Sequence, residues 1–495
     1  MQLPRHPQVL IPSLLGSALC LLGCATPAAD EERPEVQELL RGELRDAWST
    51  EAKAGAYGGG GQDPDSGDAL PFWATFDDAI LNELVVDALQ HNHDLVASAQ
   101  RLRGVAARSR VARAARRPQA NASTSYARQQ NVFVGFPIPG SSGPLRTVFN
   151  QANVGLDVAW EVDLWGRLAA SVNAADSEVA ASFADLQAAR LSIAAQVANA
   201  WFALREAAEQ VDLAERTTAT YQSSADVVRD RFEAGLSGAL DLRLAEANVA
   251  TSAALAVSAR QAYRATSRQI ELLLGRFPSA ELESVGEFPT LPPAVPAGLP
   301  ADVLARRPDL VAAEHRMSAA EFQAKAARLD RWPSLVLTST GGRTSDVFSD
   351  LLDGDFTVWS LAASIMGPLV DGGRRRAAVD EALANMRAVR AQFAALALQA
   401  FFEVESALDA EALLRERLAF LVTAVESAQS ATTLSEEQYK EGLVSIELVL
   451  ESQRRQLTSE SAYLAARREL FQSRVDLHVA LGGNFVVDAE SGEAP

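Results

Sequence analysis

The sequence predicts a mostly helical protein with a small β part, in which one unit of strand, strand and long helix occurs twice in tandem. Two observations support this fold class. Matching segments recur at a fixed spacing, and two long runs without Gly or Pro each follow an alternating, strand-like segment. A chain of 495 residues, 48% of them hydrophobic, can bury a sizeable core. The net charge of −19 disfavours nucleic acid as a partner, because a phosphate backbone requires a basic surface.

The N-terminus has the pattern of a secretory signal peptide, assigned to 1–23. Residues 8–22 are mostly apolar, a run too short to span a bilayer as a mature helix, and they lead to "LLGC", which ends at Cys24. This ending resembles a bacterial lipobox, which implies a covalent lipid on Cys24. An ordinary signal peptide that happens to contain Cys stays open. Ala25, in place of an acidic residue, implies sorting to the outer membrane. Residues 24–75 contain a Gly-rich acidic run and are expected to form a lipid-anchored linker.

The tandem repeat is visible in paired segments. "HDLVASAQR", which begins at His93, matches "PDLVAAEHR", which begins at Pro308, 215 residues later. The two long runs match at a spacing of 207, so the first copy holds eight extra residues between Pro118 and Arg167. We expect these in "VFVGFPIPGSSGPLRT", a Gly-, Pro- and Ser-rich loop at a hairpin tip. The copies are assigned to 76–290 and 291–483, followed by an acidic tail at 484–495.

Each copy contains two strand-like segments, at about 119–131 and 147–163 in the first copy and at about 334–345 and 356–370 in the second. Within the second of these segments apolar and polar residues alternate with a period of two, which gives one mainly apolar face. Strands of this length suit an outer-membrane barrel. A soluble hairpin that packs one face on a core explains the same pattern equally well.

A long helix is predicted after each strand pair. Gly and Pro are absent from 167–234 and from 374–441, and both runs are rich in Ala, Leu, Glu and Arg. Each run therefore predicts a helix roughly 100 Å long. Four strands per chain cannot close a barrel, so a membrane location requires several chains. The alternative is a cytosolic coiled coil, which the signal peptide disfavours.

Several motifs together resemble the TolC-like outer-membrane efflux factors, most closely the lipoprotein members that work with RND-type pumps. The motifs are the lipobox, "FWATFDDAILNELVVDALQHNHDL", "WEVDLWGR", "ARRPDLVAAE", "RFEAGLSGALDLRLAEA" and "YKEGLVSIELVLESQ". The resemblance covers nearly the whole mature chain. It implies a homotrimer in a Gram-negative outer membrane, in which each chain contributes four strands to one β-barrel that continues into a periplasmic α-helical barrel.

The same resemblance implies the function of an exit duct. The chain would be the outer-membrane channel of a tripartite RND-type efflux pump that exports small molecules such as drugs or toxic compounds. Its partners would be a periplasmic adaptor (a membrane fusion protein) and an inner-membrane RND pump. No cofactor is implied other than the lipid on Cys24. A conduit of a type I secretion system and a periplasmic adaptor lipoprotein remain alternatives.

The resemblance also assigns site residues. The strand-to-helix junctions are Gly166, Arg167, Gly373 and Arg374, where glycine permits the backbone to turn. The adaptor-docking tips are Gly235, Leu236, Gly442 and Leu443. The periplasmic gate is assigned to Tyr439, Lys440, Glu451, Asp241 and Arg243.

In that gate, Lys440 and Arg243 would pair with carboxylates on neighbouring helices, and Glu451 from three chains would form an acidic ring. The sequence departs from the family pattern at two positions. Lys440 is a point charge where a bidentate Arg would bind more firmly, and Glu451 is longer than an Asp. The alternative is that these residues are solvated charges on a helix face.

The sequence contains no catalytic motif. His91 and His93 are close together, but a zinc site would require a third ligand and a spacing such as HExxH, which is absent. A phosphate-binding loop and a GxSxG motif are absent as well. We therefore expect no enzyme activity and no metal.

Overall fold

The computed structural model describes residues 71–133, 145–283, 288–292 and 300–483. The predicted signal peptide, Cys24 and the tail at 484–495 lie outside the described residues, as does most of the predicted linker. Part of the predicted hairpin-tip loop also lies outside them.

The described elements follow the predicted order of helices and strands. The helices are α1 (Ala79–His91), α2 (His93–Ala114), α3 (Arg167–Glu233), α4 (Ala239–Leu273), α5 (Pro300–Arg306), α6 (Pro308–Leu329), α7 (Arg374–Lys440) and α8 (Ile446–Ala480). The strands are β1 (Gln119–Phe133), β2 (Leu145–Val162), β3 (Ser334–Ser345) and β4 (Thr357–Met366). Short 3-10 helices span Phe72–Phe76, Phe348–Leu352 and Gly354–Phe356.

The four strands form one antiparallel sheet in the order β1-β2-β3-β4, so strands of both copies share it. The two hairpins have the same register at their base: Gln119 pairs with Ala159, and Ser334 pairs with Met366. The described sheet therefore joins the two sequence copies into a single structural unit, and the repeat boundary near 290 does not separate two folds.

The hairpin of the first copy is the longer one. Pairing in the second copy stops at Arg343 and Thr357, whereas the equivalent pair in the first copy, Arg128 and Asn150, is followed by five further pairs. This agrees with the position expected for the extra residues. The strand predicted at 356–370 is too long. It ends at Met366 because Gly367 and Pro368 follow, and a proline has no N–H for the ladder.

The helices α3 and α7 have 67 residues each, which corresponds to roughly 100 Å. The helices α4 and α8 have 35 residues each and run back along α3 and α7. Within the chain α8 also packs on α3, and α6 packs on both long helices. None of the described helices combines the length and the apolar character that a membrane crossing requires.

Ahead of the first strand, the apolar pattern from Phe76 to Arg117 predicts one helical segment, and the structure divides it into α1 and α2. Asp78 caps the start of α1 through the backbone N–H groups of Ile80 and Leu81, and Asn92 caps α2 in the same way. The predicted linker ends earlier than residue 75, because Phe72 and Trp73 are buried in the main core. Short polar capping side chains thus break a run that looked continuous in sequence.

The main core lies where α1 and the 3-10 helix Phe72–Phe76 pack on α3 and α8. Its aromatic rings are those of Phe72, Trp73, Phe76, Trp201, Phe202, Phe288 and Phe471. The buried Asp78 carboxylate accepts hydrogen bonds from Trp201 Nε1 at 2.8 Å and from Arg205 at 2.9 Å. A buried charge requires such partners, and this one fixes α1 against α3.

Candidate functional site

The two strand-to-helix junctions and the two helix-to-strand junctions lie at the same end of the four strands. Both long helices begin after a glycine in the left-handed region, Gly166 with φ of 81° and Gly373 with φ of 87°. A residue with a Cβ would be strained at these angles, which explains the glycines. The predicted junction glycines therefore lie at the helix starts.

Different aspartates cap the two long helices. Asp163 accepts hydrogen bonds from the backbone N–H groups of Leu168 and Ala169, at 3.0 and 2.7 Å. In the second copy Asp371 accepts them from Gly373 and Arg375, at 3.0 and 3.2 Å. The bond from the Arg375 N–H contributes most to a pKa of the Asp371 carboxyl below its ordinary value.

The side chains at the junctions connect the two copies. A single guanidinium nitrogen of Arg167, Nη2, donates to both carboxylate oxygens of Glu161, at 2.7 and 2.9 Å, and Arg167 also approaches Asp330 at 3.8 Å. Asp330 belongs to the second copy, and Arg375 of that same copy approaches it at 3.4 Å. Arg167 and Arg374 are equivalent in backbone position, since both begin a long helix. Their side chains differ, because Arg167 of the first copy contacts Asp330. In the second copy Arg375 makes that contact and Arg374 does not.

The two helix tips are closed by the same hydrogen-bond pattern. At the end of α3, the N–H of Gly235 donates to Phe232 O at 2.9 Å and the N–H of Leu236 donates to Arg231 O at 2.8 Å. The end of α7 repeats both bonds with Gly442, Tyr439, Leu443 and Gln438. This is the Schellman motif, which requires a left-handed residue, here Gly235 with φ of 74° and Gly442 with φ of 79°.

The leucines after these glycines are exposed. In many Schellman motifs this residue packs on an apolar residue five positions earlier, but that position is Arg231 in one tip and Gln438 in the other. Leu236 is consequently 70% exposed and Leu443 is 69% exposed. The structure therefore places the four predicted tip residues at two matching turns, each with an uncovered leucine.

Of the predicted gate residues, Tyr439 occupies the most central position. Its ring is buried, and the guanidinium of Arg231 lies over it at 4.8 Å from the centroid. The same arginine donates a hydrogen bond to Tyr439 O at 2.8 Å. Burial raises the pKa of the Tyr439 phenol, Arg231 opposes this rise, and nearby Asp241 adds to it. The structure thus places Tyr439 against Arg231, a residue that is not among the predicted gate residues, and leaves Asp241 near enough to affect the pKa of the phenol.

Arg231 has one recognisable signal in the sequence. It lies four residues before the tip glycine Gly235, just as Gln438 lies four residues before Gly442. A polar residue at both matching positions leaves the following leucine uncovered. The contact between Arg231 and Tyr439 joins residues 208 apart in sequence, however, so spacing alone does not reveal it.

Asp241 and Arg243 make local contacts in the described chain. The Asp241 carboxylate accepts the N–H of Gly238 at 3.2 Å and so helps to start α4. Arg243 pairs with Glu246 at 2.7 Å, one turn along the same helix. The predicted pairing of Arg243 with a neighbouring helix is therefore not made among the described residues. A carboxylate in the first turn stabilises a helix start, and an i,i+3 pair stabilises a helix surface, so both contacts follow from local chemistry.

Lys440 and Glu451 also differ from the predicted arrangement. Lys440 is exposed, forms no ion pair within the described part of the chain, and lines a cavity of about 270 Å³ together with Tyr439 and Glu436. Glu451 is bound by two arginines of its own helix, Arg454 at 2.6 Å and Arg455 at 2.9 Å. The hydrogen bonds from Arg454, and then those from Arg455, lower the pKa of the Glu451 carboxyl. Its charge is therefore largely compensated within one chain.

Of the two histidines that could have suggested a zinc site, His91 has a local partner. His91 Nδ1 lies 2.8 Å from the Asp87 carboxylate, four residues earlier on α1. Within the described ranges no group of three or more His, Cys, Asp or Glu side chains is arranged to hold a metal ion.

A four-stranded sheet joined at one end of its strands to two long helical hairpins is the architecture of an outer-membrane channel protein. The chain belongs to the outer membrane efflux protein family, whose profile matches residues 84–276 and 299–483. Outer membrane protein OprJ of Pseudomonas aeruginosa is 30% identical over 473 residues, which cover 94% of each chain. The toluene efflux pump outer membrane protein TtgF of Pseudomonas putida is 30% identical over 412 residues, which cover 83% of this chain and 84% of TtgF.

The solved structure of the outer-membrane channel OprN superposes with a TM-score of 0.80 at 28% identity, over 92% of this chain and 98% of OprN. These likenesses confirm the fold class, the efflux function and the outer-membrane location predicted from the sequence. They favour a channel over an adaptor lipoprotein. They do not test the lipid on Cys24 or the roles of individual gate and tip residues, which stay predictions.

Proposed function

We propose that three copies of this chain form the exit duct of a tripartite RND-type efflux pump, which carries small molecules from a periplasmic adaptor and an inner-membrane pump to the exterior. The relatives are named for toluene efflux, solvent efflux and pyoverdine export. We extend to this chain the general class of small, partly apolar molecules.

The observation that carries the proposal is the pair of open sheet edges. In the order β1-β2-β3-β4, the outer edges of β1 and β4 have no strand partner among the described residues. Every residue of β4 is exposed, including Trp359, Leu361 and Ile365. Unpaired backbone groups are not tolerated in lipid, so β1 of one copy must pair with β4 of the next until the sheet closes.

The long hairpins show a second pair of open edges. Helix α4 packs on α3 and α7 packs on α8, but α4 and α7 do not pack against each other within the described chain. On α7, Leu398, Phe402, Leu413 and Phe420 are exposed. Their spacings of 4, 11 and 7 residues place them on one face of a helix, so they form an apolar stripe that a neighbouring copy would cover.

The tips offer a docking surface for the adaptor. Leu236 and Leu443 stand uncovered on two rigid turns at the same end of the hairpins. A partner hairpin that buries both leucines would gain about 1.5–3 kcal/mol for each. If it binds separated tips better than adjoining ones, binding shifts the population toward an open duct.

One experiment tests the whole proposal. The protein is purified from membranes in detergent and imaged as single particles, and the same chain is used to restore dye efflux to cells that lack it. We expect threefold particles with helical tubes over about 100 Å long. The variant Leu236→Glu/Leu443→Glu should form the same particles without restoring efflux. Monomeric particles would contradict the trimer, and full efflux by the variant would contradict the docking surface.

A further inference from the structure

The segments at the four junctions form a continuous surface, which we call the junction rim: residues 113–117, 161–167, 328–332 and 371–376. The register places them together, because Gln119 pairs with Ala159, Leu335 with Val162, and Ser334 with Met366. Each segment of the junction rim therefore lies at the same end of the strands, where the chain passes between strand and helix.

Side-chain contacts connect the segments of the junction rim. Trp160 Nε1, on β2, donates to Arg116 O at 3.0 Å, and Trp165 Nε1 donates to Pro333 O at 2.7 Å. The rings of Trp165 and Trp332 lie 5.1 Å apart. The junction rim is thus an ordered structure and not a set of independent loops.

The junction rim is strongly basic in an acidic protein. Its four segments contain nine arginines and four carboxylates, whereas the whole chain has a net charge of −19. The four carboxylates are already engaged. Asp163 and Asp371 accept backbone N–H groups, and Glu161 and Asp330 face Arg167.

Five exposed arginines of the junction rim form no ion pair within the described part of the chain. They are Arg116, Arg117, Arg331, Arg374 and Arg376. Of these, only Arg374 lies close enough to Asp371 to lower the pKa of that carboxyl. Guanidinium groups bind phosphate oxygens with two parallel hydrogen bonds, so an exposed set of them is suited to phosphate.

The surroundings indicate a lipid phosphate. Trp160, Trp165 and Trp332 are partly exposed at this end of the sheet, and each belongs to or adjoins the end of a strand. Trp at the end of an apolar strand face is typical of a membrane interface. At the opposite end of the strands, the connection 346–356 contains four Asp and no Lys or Arg. The excess of positive charge is therefore at the end that joins the helices.

We infer that the junction rim binds the anionic headgroups of phospholipids in the membrane leaflet that faces the long helices. The arginines without ion pairs contact the phosphates, and the indole rings lie at the level of the headgroups. This inference rests on the outer-membrane location of the chain and not on the number of copies in the assembly.

The test uses the indole fluorescence of the full-length protein in phosphatidylcholine vesicles. Brominated phosphatidylglycerol or brominated phosphatidylcholine is added in increasing proportion, and the quenching gives the relative affinity of the two lipids. We expect a preference of about fivefold or more for phosphatidylglycerol, since each arginine near a membrane surface contributes about that factor. The preference should weaken in high salt.

The variant Arg117→Gln/Arg331→Gln/Arg376→Gln should lose this preference. The matched control Arg190→Gln/Arg264→Gln/Arg268→Gln removes three exposed charges on α3 and α4 and should keep it; Arg190 lies about 35 Å along α3 from the junction rim. Equal quenching by both lipids in the wild type, or an unchanged preference in the first variant, would overturn the inference. Displacement of phosphatidylglycerol by millimolar inorganic phosphate would indicate a free-phosphate site instead.

Flotation of the wild-type protein with the vesicles is measured in the same samples. Floating protein without lipid preference contradicts the junction rim as a lipid site and leaves the efflux duct intact. Protein that fails to float contradicts the membrane location, and with it both proposals.

Discussion

At the scale of single residues, Arg231 is the side chain that joins the two helix tips of the chain. It comes from the last turn of α3, and its guanidinium both lies over the Tyr439 ring and donates to the Tyr439 carbonyl on α7. The first contact contributes about 0.5–2 kcal/mol and a charged hydrogen bond about 1.5–3 kcal/mol. A tip can separate from its neighbour only if both contacts are lost.

We therefore predict that Arg231→Met opens the periplasmic end. If the substitution removes at least about 1.4 kcal/mol of stabilisation from the closed state, the closed-to-open equilibrium shifts about tenfold toward the open state. Single-channel conductance in planar bilayers should then rise. Tyr439→Phe is the control. The Tyr439 hydroxyl has no hydrogen-bond partner among the described residues, so its removal should leave conductance unchanged. An Arg231→Met channel with wild-type conductance would show that this contact does not hold the tips.

His478 is a second residue with a measurable consequence. Its ring is buried and stacks on the ring of Phe72, with 5.6 Å between the two ring centroids. Its Nε2 has no hydrogen-bond partner among the described residues. Burial, and then the charge of Arg474, lower the pKa of His478 from 6.5 to about 4, while Glu411 opposes the change. The folded state thus holds the imidazole neutral at a pH where the unfolded chain already takes up a proton.

The consequence is loss of stability in acid. Because the pKa of His478 is lower in the folded state than in the unfolded chain, the neutral imidazole contributes fully to the free energy of unfolding above pH 6.5. As the pH falls toward about 4, the free energy of unfolding decreases by about 3 kcal/mol in total. We predict that the apparent unfolding temperature, measured at a fixed scan rate, falls less over this range in His478→Phe than in the wild type. His315→Gln should follow the wild type. Parallel curves for His478→Phe and the wild type would contradict the assignment.

Residue contacts are the level at which the sequence was least informative. The repeat predicts that Arg167 and Arg374 both begin a long helix, and they do. It cannot predict that Arg375, and not Arg374, reaches Asp330, because the direction of each side chain depends on the three-dimensional packing around the helix start. The buried pairs Asp78–Arg205 and Glu411–Arg474 were missed for the same reason, since each joins residues that are far apart in sequence.

At the scale of elements, the tips and the junctions followed directly from sequence. A glycine after a long run without Gly or Pro predicts a helix end, and both tip glycines adopt the required left-handed conformation. Strand ends were harder to place. The proline at position 368 shortened β4. Strand β1, in contrast, extends two residues beyond the predicted 119–131, because Val132 and Phe133 continue the pairing with Arg146 and Leu145 of β2.

We predict that Gly235→Ala loosens the tip between α3 and α4. An added Cβ meets no atom within 4 Å, so the cost is purely conformational, about 1–2 kcal/mol for a left-handed residue. Hydrogen exchange of the amides around residues 231–238 should accelerate by about tenfold. Gly104→Ala is the matched control, because Gly104 lies within α2 with open space around it and should leave exchange at the tip unchanged. Unaltered exchange in Gly235→Ala would show that the turn tolerates a side chain.

At the scale of the whole molecule, the sheet and the helical hairpins both require a neighbouring copy on each side. Both present an open edge on each side, and both edges carry apolar side chains that water would otherwise cover. The sequence predicted an oligomer because four strands cannot close a barrel. The exposed stripe on α7 could not be recognised beforehand, since an Ala-rich helix that packs on several sides shows no single apolar face until its neighbours within the chain are known.

We predict that the apolar stripe on α7 holds neighbouring copies together. Phe402 is 65% exposed and Phe420 is 70% exposed in the single chain, so burying both against α4 of a neighbouring copy would contribute about 1.5–3 kcal/mol per ring at each of three interfaces. We predict that Phe402→Glu/Phe420→Glu places charges in these contacts and prevents assembly. Light scattering coupled to size-exclusion chromatography in detergent should then give one chain mass instead of three. Leu236→Glu, an equally exposed position at the tip, should remain trimeric. A trimer of the double variant would mean that the open sheet edges alone hold the copies together, and the helical part of the duct would then be free to separate while the barrel stays closed.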